Sequence, residues 1–400
     1  MATTSVQNIR RLYTMDPSRD GLGIIDDAAV VIDRGRVSWV GPTDAVPAAD
    51  RVVDGTGLIG LPGLVDPHTH AVWAGSRADE FAQRLAGARY ADILEAGGGI
   101  LSTVAATRAA DAAQLREHAR LRLDHMRSRG VTTVEVKSGY GLNPATELLM
   151  LEAAATEHHS IAVVRTFLGA HTVPREFRQN RTAYVEQIIE EQLPLCAPHA
   201  DFVDVYCDRG AFDRDEAVAI LSAGKALGLK VRAHAEQVSY TGIAEAAAKL
   251  GATALDHLEK IDEAGIAAMA DAGTVAVLLP GAQLYLKDDA PPVEALREAG
   301  VPIAIGTDLN PGSSPVHDLW TAATLSTLIA GLTMEEALLG ITRHAAQALG
   351  LHDRGHLAIG AKGDIALFQP PPGEPASMES LLQHMGRPGA HVVLCSEVTD

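Results

Sequence analysis

From about residue 63 onward, short apolar runs alternate with longer Ala- and Leu-rich stretches along the chain. The apolar runs are about five to seven residues long and rich in β-branched side chains, as expected for buried strands. The longer stretches, such as DAAQLREHARLRLDHMRSRG, have helical composition, and several end in Gly, which commonly follows the last turn of a helix. The pattern predicts strands and helices in strict alternation.

Eight strands are predicted, over residues 63–68, 132–137, 162–168, 201–206, 229–234, 253–257, 274–279 and 301–307. Eight consecutive βα units favour a closed parallel (β/α)8 TIM-like barrel in the α/β class. A doubly wound open sheet is the competing architecture, but no G-x-G-x-x-G turn follows the first predicted strand.

Both ends of the chain depart from this alternation. Residues 24–53 contain β-branched runs around an Asp-Arg-Gly turn, and the last segment returns to strands and Pro-rich turns. Because the last segment is too short to fold alone, we expect it to pair with the N-terminal strands in a small β-sandwich domain. The predicted division is 1–60 and 351–400 for this domain, and 61–350 for the barrel.

Composition and net charge indicate which kinds of binding partner the protein can have. The chain is 47% hydrophobic and 21% charged, which is ordinary for a globular protein, and its net charge of −18 argues against a nucleic-acid partner. A small anionic substrate would therefore need a locally placed cation. We also expect no membrane span and a cytoplasmic location, because long uncharged apolar runs are absent and the three cysteines do not form a disulfide framework.

Candidate metal ligands recur at the ends of predicted strands. His68 and His70 end the first strand, and residues two apart on a strand face the same side. His234, His257 and Asp308 end later strands, and strand ends of this fold meet at the catalytic rim. An H-x-H pair is weak evidence by itself, but its recurrence with these residues on one rim predicts a metal site.

Three imidazoles and one carboxylate, from His68, His70, His234 and Asp308, suit one Zn²⁺ or iron ion with a position left for water. In this hypothesis the ion lowers the pKa of water to about 7, and Asp308 transfers the proton to a leaving nitrogen. His257 would polarise a carbonyl or stabilise the oxyanion. The chemistry predicted is amide hydrolysis.

Longer motifs resemble the amidohydrolase superfamily over essentially the whole chain, namely PGLVDPHTH and TDLNPG. The strings GSRADEF, EAGGGILSTV, EVKSGYGL, FLGAHTVP and NPGSSP resemble, more narrowly, the imidazolonepropionase family. The resemblance implies hydrolysis of the ring C–N bond of 4-imidazolone-5-propanoate to N-formimidoyl-L-glutamate in histidine degradation. It is also compatible with a homodimer.

The same resemblance implies a substrate site. Arg77 would bind the propanoate, since guanidinium and carboxylate groups pair in a bidentate manner. Further substrate contacts are implied at Tyr90, Tyr140, His171, Gln237, Asn310, Gly312 and Ser313.

Two positions bear on the route of proton transfer and on the number of metal ions. Gln237 stands where the family has Glu or Gln, and because a carboxamide cannot act as a base, proton transfer would fall to Asp308 or His257. Asp208, rather than a Lys, follows the fourth strand, which favours a single metal. Lys137 is then expected to be structural or a rim cation rather than a bridging ligand.

Two alternatives stay open from the sequence. A deaminase of the same superfamily, acting on a guanine- or cytosine-like ring, would use the same four ligands but would not need Arg77. A barrel without catalysis would have lost a ligand, whereas all four are present.

Overall fold

A computed structural model describes residues 3–87, 98–155, 160–386 and 389–396. Its helices are Ala78–Leu85, Ile100–Ala109, Ala112–Ser128, Pro144–Ala153, Arg181–Gln187, Leu193–Cys196, Arg214–Ala226, Ile243–Lys249, Glu263–Ala272, Pro280–Leu286, Val293–Glu298, Leu319–Ile329, Met334–Gly340, Arg343–Ala348 and Met378–Leu382.

Eight parallel strands form the larger unit, in the spatial order of the sequence. They are β6 Leu64–Asp66, β7 Val131–Lys137, β8 Ala162–Ala170, β9 Phe202–Cys207, β10 Lys230–Ala235, β11 Ala254–His257, β12 Val275–Leu278 and β13 Ile303–Ile305. Each one overlaps a predicted strand, and helices fill the connections between them. The predicted (β/α)8 barrel is confirmed.

The helix Arg214–Ala226 illustrates how the local sequence produces these units. Asp213 caps its first turn by accepting from the Glu216 backbone N–H, while the Glu216 side chain accepts from the Asp213 N–H. At Gly224 an added Cβ would lie only 2.6 Å from Val203 Cγ1, so the absence of a side chain lets the helix approach β9 closely. The buried face repeats at helical spacing, through Ala217, Ile220, Leu221 and Gly224.

The barrel closes between its first and last strands through the segments that follow them. Asp308 N donates to His68 O at 3.0 Å, and His70 N donates to Leu309 O at 2.9 Å. Thr69 and Leu309 form an isolated parallel bridge. The closing hydrogen bonds therefore lie between the two segments that carry three of the predicted metal ligands.

Both chain ends contribute to a second, seven-stranded sheet. Its strands are β1 Thr4–Tyr13, β2 Ile24–Asp33, β3 Arg36–Pro42, β4 Arg51–Asp54, β5 Ile59–Pro62, β14 Ile365–Phe368 and β15 Val392–Leu394. The sheet curls, because Val37 of β3 donates its N–H at 2.9 Å to Ala361, just before β14. Side chains from both halves, including Val30 and Ile365, share one core separate from the barrel core. The predicted small β-domain from both ends is confirmed.

The division between the two units falls near residue 63. β5 belongs to the curled sheet and ends at Pro62, whereas β6 belongs to the barrel and begins at Leu64. The boundaries at residues 60/61 and 350/351 stay a prediction. Among the described residues, no helix is both long and apolar enough to cross a membrane.

Gly63 lies between β5 and β6, and we expect Gly63→Ala to lower the free energy of unfolding by about 1–3 kcal/mol through overpacking. An added Cβ would lie 2.1 Å from Thr132 Oγ1 and 2.5 Å from Thr132 Cγ2. Urea denaturation measures the loss. Thr132→Ala removes both atoms, so it should restore part of the stability when combined with Gly63→Ala, and Thr132→Ala alone serves as control. A Gly63→Ala protein as stable as the wild type would contradict this packing argument.

Candidate metal centre and active site

Four side chains meet at the carboxyl ends of the strands. His68 Nε2 lies 3.4 Å and His70 Nε2 lies 3.6 Å from the same oxygen, Asp308 Oδ1. His234, at the end of β10, brings its Nε2 to 3.4 Å from His70 Nε2. The structure therefore brings together the four residues predicted as metal ligands. His68 lies just beyond β6, which ends at Asp66, rather than within the strand as predicted, and His70 follows two residues later.

The donor set fits a transition-metal ion. His68, His70 and Asp308 each offer a ligand atom within 4.8 Å of the others, and so do His68, His234 and His257. Burial lowers the pKa of His68, His70 and His234 well below the ordinary value, so these imidazoles are neutral and carry lone pairs. His68 Nε2 is buried and, among the described residues, has no hydrogen-bond partner. Neutral nitrogens crowded around one carboxylate suit a shared cation such as Zn²⁺ or Fe²⁺.

His257 reaches the same cluster through an unusual backbone conformation. Its neighbour Asp256 points into the barrel, so a straight strand would turn His257 the other way. The φ of His257 is 77° and that of Leu258 is 75°, and the ring of His257 lies 5.5 Å from that of His234. Burial lowers the pKa of His257, but Glu259, 3.9 Å away, and Asp308 raise it, with a net rise. The charge of Asp308 therefore acts on His257, and the role of His257 as a carbonyl or oxyanion partner stays a prediction.

Five charged side chains are fully buried beneath the cluster, namely Glu135, Lys137, Asp204, Arg232 and Asp256. Asp204 Oδ1 accepts from His234 Nδ1 at 3.1 Å. Asp256 Oδ2 lies 3.0 Å from His68 Nδ1, but the alignment is not that of a hydrogen bond. Asp204 therefore orients the His234 ring from the side away from the cluster, as second-layer carboxylates of metal sites do, and Asp256 faces the corresponding side of His68.

Four of these five residues were not predicted from the sequence, and Lys137 was predicted to be structural or a rim cation. The alternation of side chains along the strands could have indicated them. Glu135 stands two residues before Lys137 on β7, and Arg232 stands two residues before His234 on β10. A charged residue inside a strand that is buried on both faces points into the barrel with the residue two positions on. That repeat would have indicated a second charged layer.

Tyr140 and His171 line one side of the cluster. The His171 ring stacks on the His70 ring, with centroids 5.0 Å apart, and the Tyr140 ring lies 5.7 Å from that of His70. His171 Nδ1 lies 3.0 Å from Gly139 O, and because a carbonyl only accepts, this nitrogen carries the proton. Burial lowers the pKa of His171 to about 4, so its Nε2 is a free acceptor near neutral pH.

The loop that carries Tyr140 is held by one buried carboxylate. Glu147 accepts from the backbone N–H groups of Gly139, Gly141 and Leu142 at 2.7 to 2.9 Å. At Gly141 an added Cβ would approach the backbone N of Glu147 to 2.6 Å. The SGYGL string therefore folds tightly around Glu147, and this arrangement fixes the position of the tyrosine.

Arg77 lies in a neighbouring cavity of about 480 Å³, together with Pro311 and Tyr285. Its Nε and Nη2 contact Glu80 at 2.7 Å, which leaves Nη1 beside the backbone of Gly312. Burial raises the pKa of Tyr140, Asp308 raises it further, and Arg77 opposes both effects. Tyr140 therefore stands within electrostatic range of both the metal cluster and the arginine.

The NPGSS loop is held together by its own hydrogen bonds. Asn310 Oδ1 accepts from Gly312 N at 2.8 Å and Ser313 N at 2.7 Å, and Asn310 Nδ2 donates to Asp308 O at 2.8 Å. In this arrangement these groups shape the segment after Asp308, and their contact with substrate stays a prediction.

Gln237 and Tyr90 are the remaining predicted substrate contacts. Gln237 is buried, and within the described residues its amide makes no hydrogen bond, so its contact with substrate stays a prediction. Its neighbour Glu236 instead caps the next helix, accepting from Thr241 N at 2.6 Å and Ala244 N at 3.1 Å. Tyr90 lies outside the described residues.

Comparison with known proteins identifies the family. An amidohydrolase family model matches residues 82–380. Curated relatives include the imidazolonepropionase of Shewanella sp. strain MR-4, 47% identical over 366 residues that span 89% of this chain and 90% of the relative. The imidazolonepropionase of Shewanella putrefaciens is 46% identical with the same coverage.

The chain belongs to the imidazolonepropionase family. Solved structures with the same fold are more distant. A triazine hydrolase from Arthrobacter aurescens has a TM-score of 0.74 at 19% identity, covering 99% of this chain and 94% of its own. An adenosine deaminase from Xanthomonas campestris with bound zinc has a TM-score of 0.72 at 17% identity, covering 98% and 91%. These likenesses support the barrel-plus-sheet fold of this imidazolonepropionase-family chain.

We expect Asp204→Asn and Asp256→Asn each to weaken zinc binding about 10- to 100-fold, because each removes the charge that orients a histidine of the cluster. Competition with a chromophoric chelator measures the affinity. Asp26→Asn, which breaks an exposed ion pair with Arg11, is the matched control and should bind zinc like the wild type. Unchanged zinc affinity in both buried variants would show that these carboxylates do not support the metal site.

Proposed function

We propose that this protein hydrolyses the ring C–N bond of 4-imidazolone-5-propanoate to give N-formimidoyl-L-glutamate, the third step of histidine degradation. The observation that carries the proposal is the convergence of His68, His70, His234 and Asp308 at one barrel mouth in a chain 47% identical to imidazolonepropionases. Active sites of this fold lie on this rim of the barrel, and a divalent metal ion bound there would support hydrolysis.

His68, His70, His234 and Asp308 would hold one zinc or iron ion, and His3Asp donors accommodate either element. A zinc-bound relative of the same fold, an atrazine chlorohydrolase with a TM-score of 0.69, supports zinc as the first choice to test. Such an ion, when bound, lowers the pKa of water to about 7 and polarises a carbonyl.

Proton transfer falls to Asp308 and His257. Asp308 accepts a proton from the attacking water and returns it to the leaving ring nitrogen as the C–N bond breaks. The water oxygen becomes part of the new carboxylate. His257, held beside Asp308 by its left-handed backbone, donates to the oxyanion that develops on the substrate carbonyl. Gln237 cannot act as a base, and it would orient the ring through its amide.

Arg77, Tyr140 and His171 would orient the substrate. Arg77 offers its free Nη1 edge to the propanoate, while the unprotonated Nε2 of His171 accepts from a ring N–H. Tyr140, whose ring lies 5.7 Å from that of His70 and which interacts electrostatically with both Asp308 and Arg77, would contact the ring of the substrate. Contacts from Tyr90, Asn310, Gly312 and Ser313 belong to the same proposal through the family strings.

The alternatives receive less support. A nucleobase deaminase would not need Arg77 beside the mouth, and the deaminase of similar fold is only 17% identical. A non-catalytic barrel would not retain a complete donor set. Among the described residues, Cys196 and Cys207 are buried and form no disulfide, which supports the proposed cytoplasmic location. The homodimer stays a prediction.

The reaction can be tested directly with purified, zinc-loaded protein. We expect loss of the ultraviolet absorbance of imidazolone propanoate, and we expect Asp308→Asn to lose nearly all turnover because it can neither accept nor return the proton. Asp26→Asn should retain wild-type turnover. Ammonia release from guanine or cytosine without action on imidazolone would overturn the proposal, and so would an unimpaired Asp308→Asn enzyme.

A second measurement concerns the propanoate. Arg77→Met should raise KM about 10- to 100-fold with a smaller change in kcat, since a charge-assisted hydrogen bond contributes about 1.5–3 kcal/mol. Arg10→Met is the matched control, because Arg10 is likewise paired with a carboxylate, Asp27, but on the exposed sheet. A KM for Arg77→Met within twofold of the wild type would remove Arg77 from the substrate site.

A further inference from the structure

The ammonium group of Lys137 sits among three buried carboxylates beneath the metal cluster. Lys137 Nζ lies 2.8 Å from Glu135 Oε1, 2.8 Å from Asp204 Oδ2 and 3.6 Å from Asp256 Oδ2. All four side chains are fully buried. Burial and Arg232 lower the pKa of Lys137, but the three carboxylates raise it further, so the amine stays protonated.

The groups around this ammonium would also suit a metal ion. Asp204, His234 and Asp256 each offer a ligand atom within 4.8 Å of the others, a separation at which one ion can contact all three. The carboxylates come from three strands, β7, β9 and β11, and therefore converge from different directions. Several buried carboxylate oxygens around a small volume are the donors that hard divalent cations prefer.

This second donor set shares His234 with the four predicted metal ligands. Asp204 contacts His234 through Oδ1 and Lys137 through Oδ2. Asp256 contacts His68 and Lys137 through the same oxygen, Oδ2. One carboxylate thus joins the ammonium to each of two histidines.

We propose that the ammonium of Lys137 fills a second cation site formed by Glu135, Asp204 and Asp256 and excludes a divalent ion from it. The inference rests on the proposed function only in that the other ion is the one held by His68, His70, His234 and Asp308. Asp204, Asp256 and Glu135 are satisfied by a fixed cation, and a divalent ion entering between them would meet the positive charge of Lys137 at close range. Removing the amine and its stem leaves an oxygen-lined cage.

The test uses two metals to separate the two sites. The wild type and Lys137→Ala are loaded with one equivalent of zinc and then titrated with Mn²⁺, a hard cation whose binding is followed by electron paramagnetic resonance. We expect no tightly bound Mn²⁺ in the wild type and about one additional Mn²⁺ per chain in Lys137→Ala. Lys249→Ala removes an exposed ammonium paired with Glu245 and should bind none. Lys137→Met, which fills the cage with an apolar stem, should also bind none.

The outcomes are distinguishable. A folded Lys137→Ala protein that binds zinc but no Mn²⁺ overturns the inference and leaves the proposed function intact. A wild type that fails to bind zinc contradicts the proposed metal centre instead. If Lys137→Ala folds only when Mn²⁺ is present, that dependence supports the inference. If it does not fold at all, wild-type crystals soaked in Mn²⁺ decide: an anomalous peak between Asp204 and Asp256 overturns the inference, and its absence there supports it.

Discussion

Removing a carboxylate from water costs several kcal/mol, and the barrel buries Glu135, Asp204 and Asp256 completely under its mouth. The cost is offset because each carboxylate has a cation or a histidine nearby. Lys137 contacts all three, and Arg232 pairs with Asp256 at 2.8 Å. The predicted metal ligands adjoin this arrangement. Asp204 accepts a hydrogen bond from His234 Nδ1, and Asp256 lies 3.0 Å from His68 Nδ1.

The hydrogen bonds that close the barrel also bring the residues of the cluster together. The first and last strands are joined through the segments after them, where His68 O accepts from Asp308 N and Leu309 O accepts from His70 N. Space at this seam is limited, and a Cβ on Gly306 would lie 2.9 Å from the Cβ of His68. A chain that did not close here would not bring Asp308 to the histidines.

Two residues of the cluster, His257 and Asp308, have strained backbone conformations. His257 and Asp308 have φ values of 77° and 50°, and for residues with a Cβ the left-handed conformation costs roughly 1–2 kcal/mol each. The surrounding hydrogen bonds maintain the conformation, including Asn310 Nδ2 to Asp308 O and Leu258 N to Ala235 O. As a consequence, the adjacent residues Asp256 and His257 both face the cluster. On a straight strand their side chains would point to opposite faces.

The sequence by itself determined the eight strands, the use of both chain ends in one small sheet, and His68, His70, His234 and Asp308 as one cluster. These features depend on local periodicity and on the rule that parallel strands of this fold end on one rim, and both can be read along the chain. Only the tertiary structure decided the partners of those residues. That Lys137 joins Asp204 to Asp256, that Glu80 engages Arg77 and that Glu147 holds the Tyr140 loop follow from the packing of side chains at specific distances. The strand pattern shows that a residue points inward, but which charges meet there depends on barrel register and on strained turns, and no local pattern encodes these.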